Sequence, residues 1–124
     1  MAASGDTAVS VPKDAPIRSE PYRRLVASLP CAECGVDGYS QAAHAEQGKG
    51  LAIKSCDLTC VPLCGPRFGI PGCHYAYGQG ALYPRDTRRI LERMNAAETT
   101  YKLRELAKCN KHVAKVLCDV GLLP

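Results

Sequence analysis

The sequence predicts a small α+β domain that is held together by zinc, and three features of the chain point to this class. At 124 residues the chain fits one small domain and is too short for a large multilayer core. It contains eight cysteines, and six of them fall in a glycine-rich segment over residues 31–83. Helical patterns precede and follow that segment. We therefore expect loops and short strands around a metal site, with helices on either side.

The cysteines are predicted to be metal ligands rather than disulfide partners. The first 16 residues lack the apolar core of an export signal, and no later segment is long and apolar enough to span a membrane. We therefore expect a cytoplasmic protein with no membrane association, in which a reducing environment keeps thiols available to metals. Bound Zn²⁺ would also supply folding free energy that a small core lacks.

Cysteine spacing predicts which side chains hold this zinc. Cys31 and Cys34 are separated by two residues, so that one tight turn can present two thiolates to one ion. The second pair is more widely spaced, with eight intervening residues, and buried unliganded thiols are the alternative interpretation. Cys60 is a rival ligand, and Cys56 is a weaker rival. The predicted ligands of structural Zn²⁺ are Cys31, Cys34, Cys64 and Cys73.

Apolar periodicity predicts helices on both sides of the cysteine-rich segment. A first helix begins near Ser19 and Glu20 and ends before Pro30, and two more helices follow Pro84. Their apolar positions are, in order, Tyr22, Leu25, Val26 and Leu29; Ile90, Met94, Ala97 and Tyr101; and Val113, Val116, Leu117 and Val120, with Gly121 as a C-cap. Between them, residues 39–44 and 58–63 are predicted strands.

The positive charge of the chain is concentrated near its C-terminus. Residues 85–124 contain nine Lys or Arg and five Asp or Glu, whereas the two signs balance in residues 1–84. A basic segment suits a polyanion such as nucleic acid. The alternative is a solvated helix face that binds nothing.

Several short motifs, taken in order along the chain, resemble one protein family. They are Cys31-x2-Cys34-Gly, Gln41-Ala-Ala-His44, Gly48-Lys-Gly-x3-Lys54-x2-Asp57, Pro62-Leu-Cys64 and Gly72-Cys73-His74. Together they resemble a phage and prophage family of HNH-type nucleases, which are treble-clef (His-Me finger) proteins of the YbcO type. The resemblance covers about residues 17–84 and implies a DNA endonuclease in the cytoplasm of a bacterial host.

The resemblance also implies a ββα-metal active site. His44, at the end of the first predicted strand, would be the general base, because a neutral imidazole can take a proton from water. His74 would bind catalytic Mg²⁺ or Mn²⁺, and Asp57 would be a further ligand, since carboxylate oxygens suit these ions. Lys49 and Lys54 would contact phosphates.

Three positions depart from the family pattern and leave alternatives open. The asparagine that gives the HNH motif its middle letter is not evident, since Thr59 stands near its place. Ala43 stands where many HNH enzymes have a metal-binding Asp or His, and Gly78 stands where related sequences tend to be acidic. In the alternative, His44 is a structural histidine, His74 completes a Cys3His zinc site, and the chain is a catalytically degenerate zinc module that binds nucleic acid or a protein. A redox role for the first cysteine pair lacks the expected βαβ setting.

Aromatic and basic residues after the zinc ligands could stack on and clamp a nucleic-acid strand. Alternatively, the tyrosines cover a small core and the arginines keep a helix soluble. The residues concerned are Tyr75, Tyr77, Tyr83, Arg85, Arg88 and Arg89. The predicted organisation is therefore a disordered tail over residues 1–16, an HNH-like zinc-binding domain over 17–84, and a basic helical extension over 85–124.

Overall fold

The structure is a computed structural model that describes residues 16–44, 56–78 and 82–124. Within these residues the chain forms a small α+β fold with one antiparallel sheet of two strands. The elements are α1 (Glu20–Ala27), β1 (Ser40–Ala43), a 3₁₀ turn (Asp57–Thr59), β2 (Val61–Cys64), α2 (Cys73–Gly78), α3 (Arg85–Ala107) and α4 (Lys111–Asp119). The predicted disordered tail lies outside the described residues except for Pro16, and Lys49 and Lys54 lie outside them as well. No helix of the described part has the length and apolar character needed to cross a membrane.

Helices α1 and α4 form as local sequence predicts, because each begins at a polar cap. The Ser19 hydroxyl accepts the Tyr22 N–H at 3.1 Å, and the Asn110 side chain accepts the Val113 N–H at 3.1 Å. The predicted apolar positions of both helices are buried and share one core with Leu103 of α3. The chain leaves α4 through Gly121 at φ 85°, the left-handed C-cap that the sequence indicates.

The two strands form a hairpin whose register separates the two sets of candidate functional residues. Ser40 pairs with Cys64 at one end, and Ala43 pairs with Val61 at the other. His44 therefore leaves the sheet at the end opposite to Cys64. The second strand begins later than predicted, because residues 57–59 form a 3₁₀ turn, in which the Asp57 N–H donates to the Ile17 carbonyl at 2.8 Å.

Helix α3 forms as predicted, but its apolar stripe is not its packed face. Ile90, Met94 and Tyr101 are 52%, 61% and 62% exposed. The buried face instead carries Glu92, Thr99 and Leu103, because α1 and α4 pack at the position of Leu103. A second apolar cluster joins β2 to the first cysteine turn and to α2, and it includes Cys31, Cys64, Val61 and Tyr77.

Candidate metal centre and histidine site

The four cysteines predicted as zinc ligands come together in the fold. Cys31 and Cys34 lie on the turn before β1, Cys64 ends β2, and Cys73 begins α2. Their sulfur atoms all lie within 4.8 Å of one another. The Cys34 and Cys64 Sγ atoms are 3.8 Å apart, which equals the separation of about 3.8 Å expected for tetrahedral zinc with Zn–S bonds of about 2.3 Å. This cluster could hold a metal such as zinc.

Backbone groups around the cluster favour thiolate sulfur. The Cys64 N–H points to the Cys31 Sγ at 3.4 Å, and the Cys73 N–H points to the Cys64 Sγ at 3.3 Å. Burial alone raises the pKa of the Cys64 thiol, but the Cys73 N–H and the Arg67 guanidinium outweigh it and lower that pKa to about 6. Burial and the neighbouring thiols raise the pKa of Cys73. A bound metal would deprotonate all four thiols.

A glycine allows the second pair of cysteines to approach. Gly72 has φ 92°, and a Cβ atom at this position would lie 2.5 Å from the Gly65 carbonyl oxygen and 2.6 Å from that of Cys64. No side chain fits there. The Gly72-Cys73 step is therefore required for α2 to begin against the end of β2.

The rival cysteines do not join the cluster in the described residues. Cys60 is fully buried in the core beside α1, close to His44 and Asp57. Burial, together with the nearby Asp57 carboxylate, raises the pKa of Cys60 to about 12, so that its thiol is neutral at physiological pH. Cys56 is half-buried and is likewise not part of the four-cysteine cluster.

His44 forms a close pair with Asp57. Its Nε2 atom lies 2.7 Å from Asp57 Oδ1, and the Asp57 side chain is fully buried. The other carboxylate oxygen accepts the Ser19 N–H at 2.6 Å and an N–H of Arg23. The Arg18 guanidinium lies 3.8 Å from Oδ1. Three segments of the chain therefore meet at one carboxylate: the start of α1, the end of β1 and the 3₁₀ turn.

The charge of Asp57 fixes the tautomer of His44. Burial raises the pKa of Asp57, but the hydrogen bonds from His44, Ser19 and Arg23 lower it by more, so that the pKa lies below its usual range. An ionised carboxylate only accepts hydrogen bonds, so His44 Nε2 carries the proton. In the neutral ring, Nδ1 then holds the lone pair that can act as a base.

His44 and His74 line the same cavity, which has a volume of about 470 Å³. His74 lies on α2, and its Nδ1 atom is 2.7 Å from the side-chain oxygen of Gln41. This contact makes Nδ1 the donor and puts the lone pair of the neutral ring on Nε2. Gln41 pairs with Leu63 in the sheet and lines the same cavity, so this contact joins His74 to β1. Asp57 does not line this cavity and contacts His44 from the core.

Sequence reasoning missed Glu92, the one carboxylate among the described residues that line the cavity. Its side chain is 7% exposed, and its Oε2 atom lies 3.9 Å from the Arg88 Nε. Gly78 lines the same cavity. Glu92 lies on α3, outside the segment that carries the resemblance. The one sequence signal at this position is its spacing of four residues from Arg88, which is typical of an ion pair on a helix surface.

The aromatic and basic residues divide into structural and exposed groups. Tyr77 is buried, and it donates to one oxygen of Glu33 at 2.9 Å while Tyr83 donates to the other at 2.8 Å. These bonds attach the Cys31–Cys34 turn to α2 and to the segment before α3. Tyr75 is half exposed at the cavity.

The three arginines at the start of α3 also differ. Arg88 is 18% exposed and donates to the Tyr77 carbonyl at 3.2 Å, which makes it largely structural. Arg85 and Arg89 are exposed and available to solvent-borne partners.

No family model, curated protein or solved structure matches this chain. The function is therefore argued from the arrangement of its own residues.

Proposed function

We propose that the chain is a metal-dependent endonuclease of the HNH type that hydrolyses phosphodiester bonds of DNA in a bacterial cell, in a phage or prophage setting. In this proposal the β1–β2 hairpin and α2 form the ββα-metal unit of a treble clef, with Zn²⁺ at the four cysteines. The observation that carries the proposal is a pair of contacts made by His44. It lines a cavity that His74 also lines, and on its other side it contacts the buried, ionised Asp57.

The proposed reaction begins at Nδ1 of His44, which accepts a proton from water. The water oxygen forms a bond to phosphorus while the bond from phosphorus to the leaving oxygen breaks, and the leaving oxygen takes up a proton from solvent. Asp57 stays ionised and stabilises the imidazolium, much as a carboxylate supports histidine in other hydrolytic sites. Its role is to orient His44, rather than to bind the divalent ion as the resemblance implies.

In this proposal a divalent cation binds at the cavity wall, where His74 and Glu92 both lie. His74 and Glu92 would hold it, since an imidazole nitrogen and a carboxylate oxygen are common ligands of Mg²⁺ or Mn²⁺ in sites that keep several waters. When bound, such an ion neutralises phosphate charge and stabilises the leaving oxygen. Glu92 thereby supplies the carboxylate that Ala43 and Gly78 lack.

The proposal is tested by plasmid nicking with the zinc-loaded protein and Mg²⁺ or Mn²⁺. We expect His44→Ala to lower the nicking rate by about 10²–10⁴-fold, because it removes the general base, while zinc content stays at the wild-type level. His112→Ala is the matched control, because His112 is exposed on α4 and should not affect the rate. Equal rates for His44→Ala and wild type would reject the proposal. DNA binding without cleavage under any divalent metal would favour the degenerate zinc module.

The exposed arginines are expected to bind the DNA backbone. Replacing both Arg85 and Arg89 by alanine should weaken DNA binding and reduce the slope of log affinity against log salt by about 2, because each phosphate contact contributes about 0.9. Replacing Lys111 and Lys115 on α4 is the matched control for loss of positive charge. An unchanged salt slope in the double arginine variant would show that the start of α3 does not contact DNA.

A further inference from the structure

The loop between Cys64 and Cys73 is not used by the proposed reaction, although it is longer than a two-residue zinc knuckle. Within it, Arg67 and Ile70 are joined by two backbone hydrogen bonds of 2.9 and 2.7 Å. Phe68 and Gly69 therefore form the tip of a two-residue turn, with φ of 47° and 77°. Two positive φ angles in succession are the signature of a type I′ turn, which is a common two-residue hairpin connection.

Phe68 is unfavourable for the stability of the fold at this position. A left-handed backbone favours glycine or asparagine, and a phenylalanine there is strained. The side chain also gains nothing from packing, because it is 88% exposed, and it is the only phenylalanine of the chain. A residue that is strained and unpacked points to a role outside the fold itself.

The loop is attached to the wall of the candidate active site. Pro66 and Pro71 precede and follow the turn, and both line the cavity that contains His44 and His74. Arg67, next to Phe68, has its guanidinium carbon 5.0 Å from the centre of the Tyr39 ring. The Arg67 side chain is therefore held against Tyr39 and the Cys64 sulfur, and this contact attaches the base of the turn to the cysteine cluster.

We propose that Phe68 stacks on a base of the DNA that enters this cavity. The proposal rests on the proposed nuclease function and adds a contact with the nucleobases to it. An aromatic ring stacks on any base, and an apolar side chain can enter a base step as a wedge. A stable protein interface needs about 1,200–2,000 Å² of buried surface, far more than one side chain on a two-residue tip provides. The ring is already exposed to solvent at the tip of the turn before DNA binds.

The decisive variant is Phe68→Asn, because it should move stability and binding in opposite directions. Asn-Gly is the favoured pair for a type I′ turn, so the melting temperature should rise, by about 4 °C. Loss of stacking should weaken DNA binding about fivefold or more. The probe is a short fluorescein-labelled DNA that carries 2-aminopurine, as a single strand and as a duplex, with zinc-loaded protein and no added magnesium.

Two further variants complete the test. Phe68→Tyr keeps an aromatic ring and should keep wild-type affinity and the quenching of 2-aminopurine. Tyr101→Ala removes an aromatic side chain that is 62% exposed on α3 and should leave binding unchanged. The proposal is overturned if Phe68→Asn binds either probe as tightly as wild type, or if wild type binds neither probe. Because binding is measured without cleavage, a failure of the nuclease assignment would be seen separately, in the nicking assay of His44→Ala.

Discussion

Replacing Cys64 by serine is expected to abolish stoichiometric zinc binding and to unfold the protein. Structural zinc contributes about 10–16 kcal/mol of apparent binding free energy in small zinc domains, which is as large as the whole stability of a typical domain. Cys64 ends β2, and its sulfur lies within reach of the other three cysteines. Loss of one ligand should therefore separate the hairpin from α2. Zinc content by atomic emission and far-ultraviolet circular dichroism would measure both effects.

Two cysteine controls make this result specific. Cys109→Ser should retain zinc and fold, because Cys109 is exposed and lies outside the cluster. Cys60→Ala should retain zinc while it loses stability through its cavity in the core, which separates the rival ligand from the predicted set. A Cys64→Ser protein with the wild-type zinc content and melting temperature would contradict the metal centre.

The parts of the fold that depend on local chemistry are predictable from the sequence. The C-x2-C spacing identifies Cys31 and Cys34, and polar caps fix the starts of α1 and α4. The packed face of α3 is different, because it depends on where the other helices lie. Its exposed stripe is more apolar than its buried face, where Glu92 and Thr99 lie beside Leu103. The apolar periodicity of one helix cannot show which of its faces is buried when the neighbouring helices decide it.

The site shows the same division between local and long-range information. The order of the motifs predicts that His44 and His74 share a site, although 30 residues separate them in the chain. The environment of Asp57 depends on long-range contacts. Arg23 and Ser19, which donate to its carboxylate, lie 34 and 38 positions away in the chain. The sequence therefore presents Asp57 as a metal ligand, whereas its burial and its hydrogen bonds support a role in orienting His44.

Asp57→Asn is expected to impair both cleavage and folding. An asparagine can offer its amide hydrogen to His44 Nε2, which would then carry the lone pair and leave Nδ1 protonated and unable to act as the base. A comparable loss of the correct tautomer lowers the rate of a serine protease by about 10⁴-fold. The variant would also remove the counter-charge of Arg23, which is 32% exposed, and losing this charged hydrogen bond costs about 1.5–3 kcal/mol of stability. Nicking rates and urea unfolding would measure the two effects.

The pH dependence of stability shows whether Asp57 acts as an ionised carboxylate or only as a neutral hydrogen-bonding group. The pKa of Asp57 in the folded protein lies below the value of about 3.9 expected in the unfolded chain. Its contribution is therefore complete above about pH 4 and is lost as pH falls through the lower, folded-state pKa. Asp57→Asn should flatten this acid dependence, whereas Asp119→Asn, at an exposed ion pair on α4, should not.

The nicking rate of Asp57→Asn tests the orienting role separately. If this variant cleaved DNA at the wild-type rate, Asp57 would not orient the base, and His44 would have to act without it.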